Sequence, residues 1–343
     1  MVSFESDYNN GAHPSVLKHL IETNEEQSTS YGSDRFSENA RKLIREACQC
    51  PDADIFFLVG GTQTNSTVIS AMLRPYEGVI SLPSGHIAIH EAGAIEITGH
   101  KVLEISGRNG KIVAKSLEAE IIRMEQDPSK CHMVIPGMVY ITFPTEYGTI
   151  YSAAELEAIY DVCRRHNLLL YVDGARLGYG LAAALNDVSL PFLASHCDCF
   201  YIGGTKVGAL CGEAVVFPHG NAPEHFFTMT KQRGALLAKS RLVGAQFEAL
   251  FTNNLYMEIS KHAIAMATTM KGIFVKAGLK LWNDSPTNQV FVMLDKRMIE
   301  RLNSRGIRFE IWENIDDEHK LCRFVTSWAT LFEDLLLLEK GLV

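Results

Sequence analysis

The segment Tyr201-Ile202-Gly203-Gly204-Thr205-Lys206-Val207-Gly208 reads as a short apolar strand that breaks into a glycine turn. A second apolar strand, at 168–172, runs into Asp173-Gly174-Ala175-Arg176. An open α/β sheet places its ligands at the carboxyl ends of its strands. We therefore expect Asp173 and Lys206 to lie in one site.

A carboxylate and an amine in this arrangement are suited to holding pyridoxal phosphate (PLP). The lysine amine condenses with the aldehyde of the cofactor, and the aspartate keeps the pyridine nitrogen protonated. Alone, Asp173 could merely cap the next helix and Lys206 could be an ordinary loop lysine. The prediction depends on their shared position at strand ends.

Gly60-Gly61-Thr62 is a candidate phosphate site between a predicted strand at 55–59 and a helix. Glycines let the backbone approach an anion, and a helix N-terminus offers free N–H groups and the positive end of a dipole. The motif is neither a Walker A loop nor G-x-G-x-x-G. A Gly-Gly turn can also be only a turn, so this motif gains weight from Asp173 and Lys206.

His86 follows a proline-glycine segment at 81–85, where it begins a helix or lies in the loop before it. Its flat ring could stack on a cofactor. His90 forms an i, i+4 pair with His86, but H-E-x-x-H is absent and no third ligand is evident nearby, so we predict no metal site. Arg323 in a C-terminal strand would by itself be judged a surface charge.

Composition limits the classes of protein to consider. The 343 residues can bury a substantial core, and 47% hydrophobic with 21% charged residues is ordinary for a soluble globular protein. A formal net charge of −8 argues against nucleic-acid or anionic-membrane partners, which need a basic surface. We find no secretory signal and no run of ~18 uncharged apolar residues. Eight scattered cysteines favour reduced thiols in a cytoplasmic protein.

Apolar runs alternate with helical patterns through roughly the first 220 residues, which is typical of a parallel sheet covered by helices. Further strands are predicted at 79–82 and 134–143. Ser152 and Glu155 form a capping-box pattern at the start of a helix, and residues 91–95 are predicted to lie in another. Residues 1–220 are therefore expected to form an N-terminal arm and a large α/β domain.

The pattern changes beyond Pro218. Long helical stretches over about 225–278 precede predicted strands at 290–294 and 322–326 and a closing helix near 331–340. We predict that residues 221–343 form connecting helices and a small α+β domain.

The ordered motifs resemble those of the low-specificity threonine aldolase and β-eliminating lyase group, within the aspartate aminotransferase-like, fold type I PLP enzymes. The similarity spans nearly the whole chain. The matching segments are Ser6-Asp7, Tyr31-Gly32, Gly61-Thr62-Gln63, His86, Glu91-Ala92-Gly93, Asp173-Gly174-Ala175-Arg176, Thr205-Lys206 and Arg323-Phe324-Val325-Thr326. The resemblance implies a mostly parallel sheet in the large domain.

The resemblance also implies roles around the cofactor. Lys206 would carry PLP, Asp173 would pair with its pyridine nitrogen, and His86 would stack on its ring. Gly61 and Thr62 would hold the phosphate.

Three residues are expected to bind the substrate carboxylate by the same resemblance: Ser6, Arg176 and Arg323. Arg176 would also lie beside the cofactor. Where the aldolases usually have Thr-His-Asn followed by Gly, this chain reads Thr145-Glu146-Tyr147-Gly148. Glu146 is therefore a candidate catalytic base, with His86 as its rival.

The implied reaction is retro-aldol cleavage of a β-hydroxy-α-amino acid, such as threonine or allo-threonine, to glycine and an aldehyde. The alternatives with the same cofactor are β-elimination, transamination and racemisation. A PLP-binding protein without turnover is disfavoured, because the lysine, aspartate and arginine set is complete. Family members place the active site between subunits, so we expect a homo-oligomer, a dimer or a tetramer.

Overall fold

The computed structural model describes residues 1–343, with twelve strands and thirteen α-helices. The strands are β1 (Val2–Ser3), β2 (Asp54–Leu58), β3 (Glu77–Ser81), β4 (Val102–Glu104), β5 (Ile135–Thr142), β6 (Leu169–Asp173), β7 (Cys199–Gly203), β8 (Glu213–Phe217), β9 (Gln289–Asp295), β10 (Ile307–Arg308), β11 (Glu310–Asn314) and β12 (His319–Val325). The α-helices are α1 (Pro14–Glu22), α2 (Arg35–Cys48), α3 (Gly61–Met72), α4 (His86–Ile89), α5 (Ala114–Glu125), α6 (Ala153–Arg165), α7 (Leu177–Leu181), α8 (Leu190–Ser195), α9 (Phe226–Gln232), α10 (Arg241–Phe251), α11 (Leu255–Lys276), α12 (Lys296–Ser304) and α13 (Phe332–Leu342).

The large sheet has the strand order β2-β8-β7-β6-β5-β3-β4. Strands β3 to β7 run parallel to one another, whereas β8 is antiparallel to both β2 and β7. All five residues of β7 are buried, as expected for a central strand covered on both faces. The prediction of an α/β fold with a mostly parallel sheet is confirmed.

The direction of the strands decides where the site forms. The carboxyl ends of β2, β3, β5, β6 and β7 meet at one edge, which is also where the antiparallel β8 begins. The loops that leave these ends carry the residues singled out above. The sheet thus brings together positions that lie up to 145 residues apart, from Gly61 to Lys206.

Helix α6 shows how the local sequence builds a supporting element. The hydroxyl of Ser152 accepts the backbone N–H of Glu155, whose carboxylate accepts the backbone N–H of Ser152 in return. The predicted capping box is therefore present. Leu156, Ile159 and Cys163 then bury one face of the helix.

The prediction of a helix at 91–95 is wrong. This segment forms turns, and the short helix that follows is a 3-10 helix over Glu96–Thr98. Ala92 and Gly93 have φ angles of 50° and 75°, in the left-handed region that a right-handed helix cannot contain. The predicted helical region at 225–278 is likewise divided into α9, α10 and α11.

A second, three-stranded antiparallel sheet has the order β11-β12-β9. It packs with α11 and α13 around a separate apolar cluster that includes Phe274, Val292, Phe324 and Leu338. Val2 and Phe4 join this cluster, since β1 pairs with β10. The division at residue 220 stays a prediction. No helix of the structure combines the length and the apolar character needed to cross a membrane.

Candidate active site

A cavity of about 360 Å³ opens at the carboxyl edge of the large sheet. Its volume lies in the range of small-molecule sites, ~300–1,000 Å³. The predicted site residues that line it are Gly61, Thr62, His86, Glu146, Asp173, Arg176 and Lys206. Ser6 and Arg323 are not among its lining residues. Residues that are far apart in the sequence therefore line one pocket.

Lys206 lies in the turn that follows β7, and its amine reaches the cavity. Its Nζ lies 5.9 Å from the centroid of the Tyr8 ring, and its backbone carbonyl accepts the Tyr179 hydroxyl at 2.6 Å. Burial, together with the positive charge of Arg176, holds the pKa of Lys206 below its usual value. An amine shifted in this direction is more often neutral, which is the nucleophilic state.

Asp173 is the last residue of β6 and is almost completely buried. Its Oδ2 accepts the Tyr140 hydroxyl at 2.6 Å and the Asn65 amide at 3.0 Å, and its Oδ1 accepts the Tyr201 hydroxyl. Burial raises the pKa of Asp173, but the charge of His86 and these hydrogen bonds outweigh it and hold the pKa below the usual value. The carboxylate is therefore kept ionised inside the protein.

Helix α3 provides the anion site. Its N-cap is Gly60, which has no side chain that could cap the first turn. The N–H groups of Gly61 and Thr62 belong to the unsatisfied first turn and line the cavity. A Cβ at Gly61 would come within 3.1 Å of the Tyr201 hydroxyl oxygen, so the close packing there favours glycine.

These features fit PLP. The cofactor needs an amine, a carboxylate and a phosphate cradle, and the cavity has a buried amine, an ionised buried carboxylate and a helix N-terminus with free donors. The three groups are contributed by different strand ends of one sheet. The donor set therefore matches the chemistry of this cofactor.

His86 begins helix α4, and its ring is partly exposed to the cavity. Its Nδ1 lies 2.7 Å from Oε1 of Glu91, whose other neighbour is the Asn65 amide at 2.7 Å. Burial raises the pKa of Glu91, which the contacts with His86 and Asn65 partly offset. This carboxyl group orients the imidazole and leaves Nε2 as its free nitrogen.

Glu146 lies beside His86, in the loop after β5. Its Oε1 accepts the backbone N–H of His86 at 2.9 Å, and its Oε2 accepts the Thr142 hydroxyl at 2.9 Å. Burial raises the pKa of Glu146, although these hydrogen bonds oppose the shift. Glu146 is thus a carboxyl group in the cavity wall that gives up its proton at a higher pH than an exposed glutamate.

Arg176 has a partner that the sequence prediction missed. Its Nε and Nη2 donate to the two carboxylate oxygens of Asp7, at 2.8 and 3.0 Å, and Asp7 also accepts the Asn288 amide at 2.9 Å. Burial raises the pKa of Asp7, but Arg176 and the other charges and donors outweigh it, so the pKa lies below the usual value. The arm residue Asp7 is therefore a buried counter-ion for Arg176.

Ser6 and Arg323 lie close to this group but make other contacts. The Ser6 hydroxyl donates to Asn9 Oδ1 at 2.6 Å. Arg323 forms an ion pair with Glu310 and lies 4.5 Å from the centroid of the Trp312 ring. Its Nε is buried and has no hydrogen-bond partner.

Several lining residues were missed from the sequence: Tyr8, Tyr201 and Glu213. Tyr8 follows the Ser6-Asp7 match directly, and this position next to a predicted site residue is the signal that could have identified it. Glu213 is an acid at the start of the apolar run 214–217, an unusual place for a charge. Tyr201 lies in an apolar strand, where nothing distinguishes it from a core tyrosine.

The fold and this cavity define an α/β protein of the aspartate aminotransferase-like, fold type I class. A solved double mutant of Thermus thermophilus aspartate aminotransferase superposes with a TM-score of 0.69 at 15% identity, covering 100% of this chain and 92% of that one. At this identity the likeness shows the fold alone.

The chain belongs to the beta-eliminating lyase family, whose sequence profile matches residues 4–297. The Pseudomonas aeruginosa low specificity L-threonine aldolase is 30% identical over 334 residues, which cover 96% of this chain and 94% of that protein. The solved Leishmania major threonine aldolase is 39% identical, with a TM-score of 0.95 and complete coverage of both chains. The predicted family and the lyase class are confirmed.

Proposed function

We propose that this chain is a PLP-dependent lyase that cleaves the Cα–Cβ bond of a β-hydroxy-α-amino acid, such as threonine or allo-threonine, to give glycine and an aldehyde. The observation that carries the proposal is the convergence of Lys206, Asp173 and the α3 N-terminus on one cavity. The likeness to the threonine aldolases supports the choice of reaction.

Four groups of the chain would hold the cofactor. Lys206 would bind it covalently, Asp173 would pair with its pyridine nitrogen, His86 would cover its ring, and the backbone N–H groups of Gly61 and Thr62 would bind its phosphate. When bound, PLP supplies an electron sink for the pair released from the breaking bond. The ionised state of Asp173 is what keeps that sink effective.

The likeness to the threonine aldolases assigns the substrate carboxylate to Arg176, which lines the cavity, and to Arg323 and Ser6, which lie outside its lining. Arg176 is held rigid by Asp7, and Arg323 keeps one buried, unpartnered Nε as a donor. The Ser6 hydroxyl lies on the same arm and would add a further donor. Fixing the carboxylate decides which bond at Cα is broken, because it orients the substrate relative to the cofactor.

A base must remove the β-hydroxyl proton as the bond breaks. Glu146 and His86 both line the cavity and are the two candidates. We propose Glu146 for this role, acting directly or through a water molecule, since burial raises its pKa above the usual value and makes it a stronger base. His86, oriented by Glu91, is the alternative.

The cavity also has a shortage of positive charge, which supports a shared site. Its only lysine and arginine residues are Lys206 and Arg176, and Arg176 is already paired with Asp7. A phosphate dianion at α3 would therefore lack a cation. We propose that a neighbouring subunit supplies this cation in a homo-oligomer. We also propose a cytoplasmic location.

The direct test is an assay of the purified protein with threonine, allo-threonine and phenylserine. We expect equimolar glycine and aldehyde from at least one of them. Lys206→Ala should abolish the products, whereas Lys261→Ala, at an exposed lysine, should not change them. Formation of a 2-oxo acid and ammonia, of an amino-group exchange product or of the inverted isomer, without glycine, would instead favour elimination, transamination or racemisation.

A further inference from the structure

Glu213 is a buried carboxyl group in the cavity wall that has no part in the roles above. It is the first residue of β8 and is 3% exposed. Its partners in the sheet are Leu58 of β2 and Gly203 of β7. Glu213 therefore lies between the strand that leads to the α3 anion site and the strand that leads to Lys206.

Both oxygens of Glu213 hold the turn that carries Lys206. Oε2 accepts the backbone N–H of Gly204 at 3.0 Å, and Oε1 accepts the Thr205 hydroxyl at 2.8 Å. The Gly212 carbonyl accepts the backbone N–H groups of the same two residues, at 3.0 and 3.1 Å. The two residues before Lys206 are thus attached to Gly212-Glu213.

The close packing of this turn against β8 restricts which residues can occupy it. A Cβ at Gly204 would lie 2.7 Å from the Gly212 carbonyl oxygen, so a side chain there would push the turn away from β8. Thr205 Oγ1 in turn accepts the Gly212 N–H at 3.0 Å. The turn and the start of β8 therefore form one hydrogen-bonded unit around Glu213.

Burying this carboxyl group is costly, because it lies in a low-dielectric wall and forms no ion pair within 4.0 Å. Burial raises the pKa of Glu213, with the hydrogen bond from Thr205 and the charge of Lys206 opposing the shift. The charged or titratable groups that face Lys206 from the surrounding elements are Asp7, Tyr8, His90, Asp173, Arg176 and Glu213. Of these, only Glu213 is hydrogen-bonded to the residues that immediately precede Lys206.

We propose that Glu213 is a positioning residue that holds Gly204 and Thr205 so that the Lys206 side chain enters the cavity from a fixed point. The inference rests on the proposed role of Lys206 as the PLP-binding lysine. Loss of the hydrogen bonds from Gly204 and Thr205 to Glu213 would let the turn move away from β8. The cofactor would then be held less rigidly and would bind less tightly.

The test uses the PLP-loaded protein and three variants. Glu213→Gln keeps the size but replaces one acceptor oxygen by an NH₂ group that faces a donor. Thr205→Val removes the hydroxyl, and Thr205→Ser retains it. The readouts are the circular dichroism of the cofactor absorption band, the dissociation constant of PLP and the free energy of unfolding.

We expect Glu213→Gln and Thr205→Val to weaken the cofactor dichroism and to raise the dissociation constant roughly tenfold or more. Thr205→Ser should stay close to wild type. Asp198→Asn is the matched control: this buried carboxylate accepts the Leu170 N–H at 2.7 Å and Arg164 at 2.6 Å, outside the cavity. It should reduce stability without changing the dichroism.

Normal dichroism and PLP affinity in Glu213→Gln and Thr205→Val would overturn the inference while leaving the proposed function intact. The same losses in Asp198→Asn would also overturn it, because they would reflect general destabilisation. If Glu213→Gln does not fold, the contrast between Thr205→Val and Thr205→Ser decides. A wild-type protein that binds PLP at another lysine overturns the proposed site and this inference together.

Discussion

At the scale of single residues, Asp173 has the environment that most clearly links structure to chemistry. Three side-chain donors hold it ionised in a buried site. We predict that Asp173→Asn lowers kcat roughly tenfold to a hundredfold, because losing one buried charge-assisted interaction costs ~1.5–3 kcal/mol. Steady-state kinetics measure the effect, and urea unfolding should show an intact fold. Undiminished activity would mean that the aspartate is only structural.

Glu146 gives a pH-dependent prediction. Its pKa is raised by burial above the ordinary 4.5, so its base form appears as the pH rises through that higher value. If Glu146 takes the β-hydroxyl proton, kcat should increase with pH over this limb, and Glu146→Gln should lower kcat and remove the limb. The profile should be measured over about pH 5 to 9, the range that also covers histidine titration. A limb that persists in Glu146→Gln assigns the proton transfer to His86.

The residues of the site could be predicted from the sequence to different degrees. Lys206, Asp173 and Gly61 follow from strand ends, because a parallel sheet collects its carboxyl ends at one edge. The Asp7–Arg176 pair could not be foreseen, since it joins the N-terminal arm to a loop 169 residues away. No local pattern encodes such a contact.

At the scale of elements, the strands were predictable where apolar runs were continuous. Strands β5 and β6 lie within one residue of the predicted bounds. The helix predicted at 91–95 is absent because Ala92 and Gly93 adopt positive φ angles, and nothing in the local sequence indicates this conformation at Ala92. Strand β11 was not predicted because its alternation of buried and exposed residues is weak. Its residues are all partly or fully exposed, and a bulge interrupts its pairing with β12.

The capping box of α6 gives a prediction at this scale. Ser152→Ala removes the acceptor of the Glu155 N–H and should lower the free energy of unfolding by about 1 kcal/mol. Because α6 lies outside the cavity, kcat should not change. Urea unfolding checks the stability, with Glu157→Ala at an exposed position of the same helix as the control. Equal stability of the two variants would show that the cap contributes nothing.

At the scale of the whole molecule, we predict a homo-oligomer, a dimer or a tetramer. Apart from Lys206 and the Asp7-paired Arg176, no lysine or arginine lines the cavity, and α1 leaves Leu17 and Ile21 exposed on one side. Tyr31 is 39% exposed, and we expect it close to a subunit boundary. Light scattering or sedimentation at assay concentration gives the mass. A fully active monomer of 38.1 kDa would refute the shared site.

The proposed function requires that PLP is bound to Lys206. Borohydride reduction of the PLP-loaded protein, followed by peptide mapping, tests it most directly, since the reduced link survives digestion. We predict the label on Lys206, and none in Lys206→Ala even if that variant still binds PLP noncovalently. A label on Lys231, Lys239 or any other lysine of the wild-type protein would contradict the account.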